Sequence, residues 1–198
     1  MKRWTRFDRL PKRFLRSYER NLALKPDFSE NTLPNGTLIR QTGGAFPALR
    51  FRRVRMSGVC CGIMAAYNAL VLAGINAEYL KLAAEFELNA ATPAIPAGVF
   101  GCLPWRAGAC LAAYGARFTR YRRLADFENA LTVGRIGVLS YKFSVLDPRM
   151  HTFTVQRTAD GVVAYNHFSN YRETETRGTI AEILAPKNVF LVGFVSEG

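Results

Sequence analysis

The stretch from Met56 to Asn76, MSGVCCGIMAAYNALVLAGIN, contains no charged residue, and a chain that carries it must enclose it on nearly every side. From Ile63 to Gly74 it is rich in Ala, Leu and Met, which favour helix, and the closing glycine suits a helix C-cap. The run has the length of a membrane span, but Ser57, Asn68 and its glycines make it poor in composition. The reading is a buried helix of a soluble fold, with no transmembrane segment. At its head stand two adjacent cysteines, Cys60 and Cys61, followed by Gly62.

A chain of 198 residues that is 49% hydrophobic fits one domain with a substantial core. Its four cysteines, at 60, 61, 102 and 110, read as reduced thiols, because adjacent cysteines rarely bridge and MKRWTRFDRLPKRFLRSYER lacks the apolar segment of a secretory leader. A cytoplasmic location is expected. The net charge of +12 is uneven: residues 1–55 hold 14 Lys or Arg against 4 Asp or Glu, whereas residues 56–198 hold 13 against 11. The chain therefore divides into a basic, partly irregular N-terminal arm, 1–50, and a folded domain, 51–198.

Within the arm, Trp4, Phe7, Leu10, Phe14 and Leu15 recur at roughly helical intervals among arginines, with Pro11 interrupting. Such a segment suits an anionic partner, nucleic acid or a membrane surface. Residues 21–50 carry Pro26, Pro34, Pro47 and two glycine turn signals, so irregular chain lying over the body is expected.

Beyond the first helix, residues 77–88 place Tyr79, Leu80, Leu82, Ala83 and Phe86 on one helical face. The stretch 91–104 reads as a loop and 105–114 as a third helix. After Gly115 the pattern turns to strands: ARFTRYRR, VGRIGVLSYKFSV, then HTFTVQRTADGVVAYN around the turn signal Asp160-Gly161, and a terminal NVFLVGFVSEG. Short helices are expected at 124–131 and in TIAEILAP. Helices first and a mostly antiparallel sheet afterwards mean an α+β fold. No phosphate loop, dinucleotide fingerprint or paired CxxC spacing is present, so neither a cofactor nor a metal is expected.

The start of a helix stabilises a thiolate through its unpaired amide N–H groups and the positive end of its dipole. Cys61 occupies that place, Gly62 leaves room for a substrate carbonyl, and the Cys61 amide can face an oxyanion. Cys60, Cys102 and Cys110 read as core thiols. A cysteine nucleophile also needs an imidazole and a group that orients it. The chain has two histidines, His151 and His167. His151 opens one strand-like run and Asn166 closes its partner; a two-residue Asp160-Gly161 turn would instead set Asn170 opposite His151. His167, by alternation from Asn166, is expected at the surface, and Asn68 is expected to hydrogen-bond within the core.

Taken together, Cys61-Gly62 heading an Ala-rich helix, GVFGCLPWRAGACLAAYG and HTFTVQRTADGVVAYN resemble papain-like cysteine peptidases, specifically the bacterial branch related to bacteriocin-processing peptidases that cut after double-glycine leaders. The resemblance covers roughly residues 50–195. It implies a papain-like fold, a peptide or protein substrate, Cys61 as nucleophile, His151 as base and acid, and Asn166 as the group that orients the imidazole. The family commonly has a glutamine about six residues before the nucleophile, where this chain reads Val54-Arg55-Met56. Gln41 folding back, or Arg55 acting electrostatically, are the two candidates for that place. The alternatives to a peptidase are an inactive peptide-binding member of the same fold and a nucleic-acid or membrane binder acting through the arm.

Overall fold

The structure, a computed structural model, describes residues 16–52, 54–89, 103–147, 149–168, 170 and 172–197. The expected amphipathic segment through Trp4 to Leu15, and most of the expected loop 91–104 with Cys102, lie outside the described residues. The helices are α1 (Arg16–Ala23), α2 (Cys61–Leu72), α3 (Tyr79–Asn89), α4 (Ala107–Ala113), α5 (Leu124–Ala130) and α6 (Ile180–Ile183). The strands are β1 (Arg50–Phe51), β2 (Val54–Arg55), β3 (Phe118–Tyr121), β4 (Ile136–Lys142), β5 (Met150–Thr158), β6 (Gly161–Tyr165), β7 (Glu175–Arg177) and β8 (Val189–Ser196). The fold is α+β, built on an antiparallel sheet of order β3-β8-β4-β5-β6-β7. No helix among the described residues is long and apolar enough to cross a membrane.

Helix α2 is the centre of the molecule. It packs against α3, α4, β4 and β5, and Gly62, Ile63, Met64, Ala65, Ala66, Asn68, Ala69 and Leu70 are all buried. Its small residues let the sheet come close enough for Thr154 Oγ1 of β5 to donate to the Ala65 carbonyl at 2.6 Å. The helix ends in a Schellman motif: Gly74, at φ +70°, donates to Val71 O and Ile75 donates to Leu70 O.

Successive residues of a strand face opposite ways, and β4 uses both. Ile136 and Val138 join the core under α2, whereas Leu139 and Tyr141 join a second core with Phe127, Phe153, Val155, Ile180 and Ile183. Phe127 of α5 lies flat on that second face because Gly137 and Gly193 leave room for it; a Cβ on Gly137 would sit 2.7 Å from its ring, and one on Gly193 closer still.

The boundary drawn at residue 50 runs through packed core. Leu38, Phe46 and Leu49 are buried in the same cluster as Ile63 and Met64, so the described part of the arm is helix α1 followed by mostly irregular chain fastened to the body. One buried asparagine fastens it to the body and another folds it on itself. Asn68 of α2 donates to Leu38 O at 2.7 Å and accepts from Leu38 N–H at 2.6 Å, while Asn31 Nδ2 reaches the carbonyls of Ile39, Arg40 and Gly43 and its Oδ1 accepts from Ala45 N–H.

Substituting Gly193→Ala forces Phe127 off the sheet. Overpacking of this kind costs about 1–3 kcal/mol, and urea unfolding is expected to show a loss of that size; unchanged stability would mean that α5 yields freely.

Candidate functional site

The tight turn Met56–Gly58 leads into α2, with Cys60 N–H donating to Met56 O, and makes Cys61 the first helical residue. Cys60 is wholly buried, whereas Cys61 is partly exposed. Of the two, only Cys61 has its sulfur beside an imidazole. His151 is the second residue of β5, paired with Tyr141 of β4, and is 6% exposed. Its ring stacks on Phe153 at 6.2 Å between centroids and meets Tyr141 edge-on at 6.1 Å.

The imidazole is polarised from behind. His151 Nε2 lies 2.7 Å from the main-chain carbonyl of Asn166, which can only accept, so Nε2 carries the hydrogen and Nδ1 is left to face the Cys61 thiol. Burial works to raise the Cys61 thiol. The hydrogen bond and charge of His151, with the main-chain N–H groups of Thr152 and Gly62, outweigh it and bring the thiol below its ordinary value. Burial likewise works to lower His151, but the bond and charge of Cys61 and the Asn166 carbonyl bring the imidazole above its ordinary value. The two shifts have opposite sign, which favours proton transfer from sulfur to ring. The other described thiols lack this: burial pushes Cys60 well up, and burial aided by the charge of Glu85 pushes Cys110 up to about 12.

Cys61, His151 and Asn166 are therefore brought together, with one difference from expectation. The group on His151 is the Asn166 main-chain carbonyl, not the side-chain amide. The register explains it. The β5–β6 turn is Ala159-Asp160, with Thr158 opposite Gly161, and the ladder ends at Thr154 opposite Tyr165. Asn166 then leaves the strand at φ +57°, a left-handed conformation that asparagine tolerates better than most residues, and this swings its carbonyl toward His151. Asn170, the alternative, is exposed.

The Asn166 side chain faces the other way, to Gln41. Asn166 Nδ2 donates to Gln41 Oε1 at 3.2 Å, and Gln41 Nε2 donates to Ser57 O at 3.2 Å. Because Ser57 offers an acceptor, the polarity of both amides is set, and Asn166 Oδ1 is buried with no hydrogen-bond partner among the described residues. Gln41 is 5% exposed and spans the gap between the turn before Cys61 and the residue that holds the imidazole. Its place follows from Asn31 and Asn68, which anchor the chain on either side of it. Arg55 is exposed on β2.

His167 differs from its expected surface position. It is 4% exposed, packed on Phe153 at 4.7 Å between centroids, with Nδ1 2.8 Å from Glu175 Oε2. The partner lies on β7, a three-residue strand with no hydrophobic pattern to announce it. A cavity of about 480 Å³ lined by Leu72, Ile75, Phe118 and Ile136 sits at the far end of α2, remote from the sulfur. Among the described residues no group of three or more His, Cys, Asp or Glu could hold a metal ion.

No protein-family model matches the chain, nor does any curated protein or solved structure.

Alkylation by iodoacetamide requires thiolate, so Cys61 is expected to react at pH values below the ordinary thiol range of ~8.5. In His151→Ala only the main-chain N–H groups of Thr152 and Gly62 still oppose burial, and the rise in rate moves up toward ~8.5 or above. Mass spectrometry of the labelled peptide checks both; a rise for Cys61 at the same pH in the two proteins would remove His151 from the pair.

Proposed function

We propose that this chain is a cysteine peptidase or related amide hydrolase with a papain-like fold. The observation that carries the reading is the pairing of Cys61 with His151 at the start of α2, with the thiol brought below and the imidazole above its ordinary value. The α+β order, a buried helix followed by an antiparallel sheet that supplies the histidine, supports it.

The Cys61 thiolate attacks the substrate carbonyl carbon, and the oxygen takes the negative charge. The Cys61 amide N–H, unpaired at the helix start, faces that charge. Collapse of the tetrahedral species breaks the C–N bond while His151 Nδ1 passes its proton to the departing amine. The product is a thioester on Cys61. His151, now neutral, takes a proton from water as its oxygen attacks the thioester, and the acid product leaves with the thiolate restored. The Asn166 carbonyl holds Nε2–H throughout, so the ring keeps one tautomer and one orientation. Neither a metal nor a cofactor takes part.

Gln41 is a positioning residue in this scheme. Its amide ties Ser57, four positions before the nucleophile, to Asn166, so the two halves of the site are held at a fixed separation. One observation favours the second reading, a peptide-binding protein without activity: Gln41 already spends a donor on Ser57 O. A peptide bound without turnover or acyl transfer would select that reading. Nucleic-acid or membrane binding through the basic arm rests on a segment, Trp4 to Leu15, that lies outside the described residues.

A peptide-like thiol-reactive electrophile is expected to label the wild type and Cys60→Ala but not Cys61→Ala. For peptide hydrolysis, His151→Ala is expected to lose about 10²–10⁴-fold in kcat. Asn166→Gly keeps the carbonyl and the left-handed conformation, so it retains activity within about tenfold. Equal labelling of wild type and Cys61→Ala would sink the peptidase reading, and a loss in Asn166→Gly as large as that of His151→Ala would return the orienting role to the side chain.

A further inference from the structure

The only other histidine is buried beside the first. His151 and His167 pack against the same two rings: His151 stacks on Phe153, His167 meets Phe153 at 4.7 Å, and Tyr141 lies 6.1 Å from both. Between them in the chain is Asn166, covalently joined to His167, whose carbonyl holds His151 Nε2. His167 is in turn held by Glu175 at 2.8 Å, and the second oxygen of Glu175 by Arg177 at 3.1 Å. Burying an imidazole and a carboxylate in a hydrophobic cluster opposes folding unless the two are paired, and an apolar residue at 167 would fill the same space. The pair therefore calls for a reason beyond packing.

We propose that His167 and Glu175 are positioning residues for the catalytic imidazole: they lock the turn at Asn166 so that its carbonyl stays on His151 Nε2. This deepens the hydrolase reading and rests on it. The turn needs such a lock because Asn166 departs from β6 in the left-handed conformation, which the ladder does not enforce. It is gripped from both sides, by Gln41 on the Asn166 amide and by Glu175 on the next ring. The groups that face His167 are Glu175 and, through it, Arg177 on β7, His151 on β5 and Tyr141 on β4, with Cys61 of α2 beyond Tyr141.

The direction of the effect follows. Loss of the lock loosens the Asn166 carbonyl from Nε2, and a carbonyl acceptor favours the charged ring, so His151 then titrates at lower pH. Glu175→Gln acts the same way and also removes one negative charge from the cluster. A purely structural role for the pair would change stability and, in His167→Phe, leave the His151 titration where it was.

With two histidines in the chain, imidazole NMR titration resolves both, and no substrate is needed. In Glu175→Gln and His167→Phe, His151 is expected to titrate about half a unit or more below wild type, with faster exchange of its Nε2 proton. His167→Asn, whose Nδ2 stands where Nδ1 stood, is expected to restore both. An unmoved His151 in Glu175→Gln overturns the proposal, and so does failure of His167→Asn to rescue while His167→Phe is folded. Cys61→Ala separates this from the parent reading. If it leaves the wild-type His151 titration unchanged, the thiolate pair and with it the hydrolase fail, while Glu175→Gln still decides the lock.

Discussion

Enclosing α2 is the constraint on which the rest depends. A helix without charge from Cys61 to Leu72 has no face to give to water, so it needs protein all round: the sheet on one side, α3 and α4 on others, and the irregular chain of residues 38–49 on what remains. Burial at ~25 cal/mol per Å² drives this, but direction comes from polar contacts. Thr154 on Ala65 O sets how β5 lies along the helix, and Asn68 on Leu38 sets where the arm crosses it. With β5 so placed, its first residues fall beside the N-terminus of the helix, and His151 meets Cys61 there.

The elements legible in the sequence are those with strong periodicity. The α2 run, the helix at 77–88, the paired strands after Met150 and the terminal strand are all present near their expected places, and so is the order that makes an α+β fold. Their failures have physical causes. A strand of three residues, Glu175–Arg177, offers no alternation, so the burial of His167 against it was invisible and the alternation rule sent His167 outward. That rule also assumes the strand continues; it stops at Tyr165, and one left-handed residue reverses the logic.

The candidate site was legible in its cysteine and histidine and not in its main chain. Cys61 and His151 follow from residue type and placement, whereas spacing left Asn166 and Asn170 both open, and that Asn166 offers its carbonyl depends on the left-handed turn it makes after Tyr165. Gln41 is a similar case. Nothing near it in sequence marks it as part of the site; it arrives there because Asn31 gathers the carbonyls of residues 39, 40 and 43, and such long-range polar ties leave no periodic trace.

The chemistry reduces to where one proton resides. Desolvation alone would raise the Cys61 thiol and lower the His151 imidazole; the interaction between them, the Asn166 carbonyl and the main-chain N–H groups of Thr152 and Gly62 shift each the other way. The ultraviolet absorbance of the thiolate, followed against pH and taken as the difference between wild type and Cys61→Ala, reads that proton without any substrate. An absorbance due to Cys61 that is present well below the ordinary thiol range and lost in His151→Ala is the expected result. Absorbance that emerges only above ~8.5, alike with and without His151, would contradict the pairing of thiolate and imidazolium.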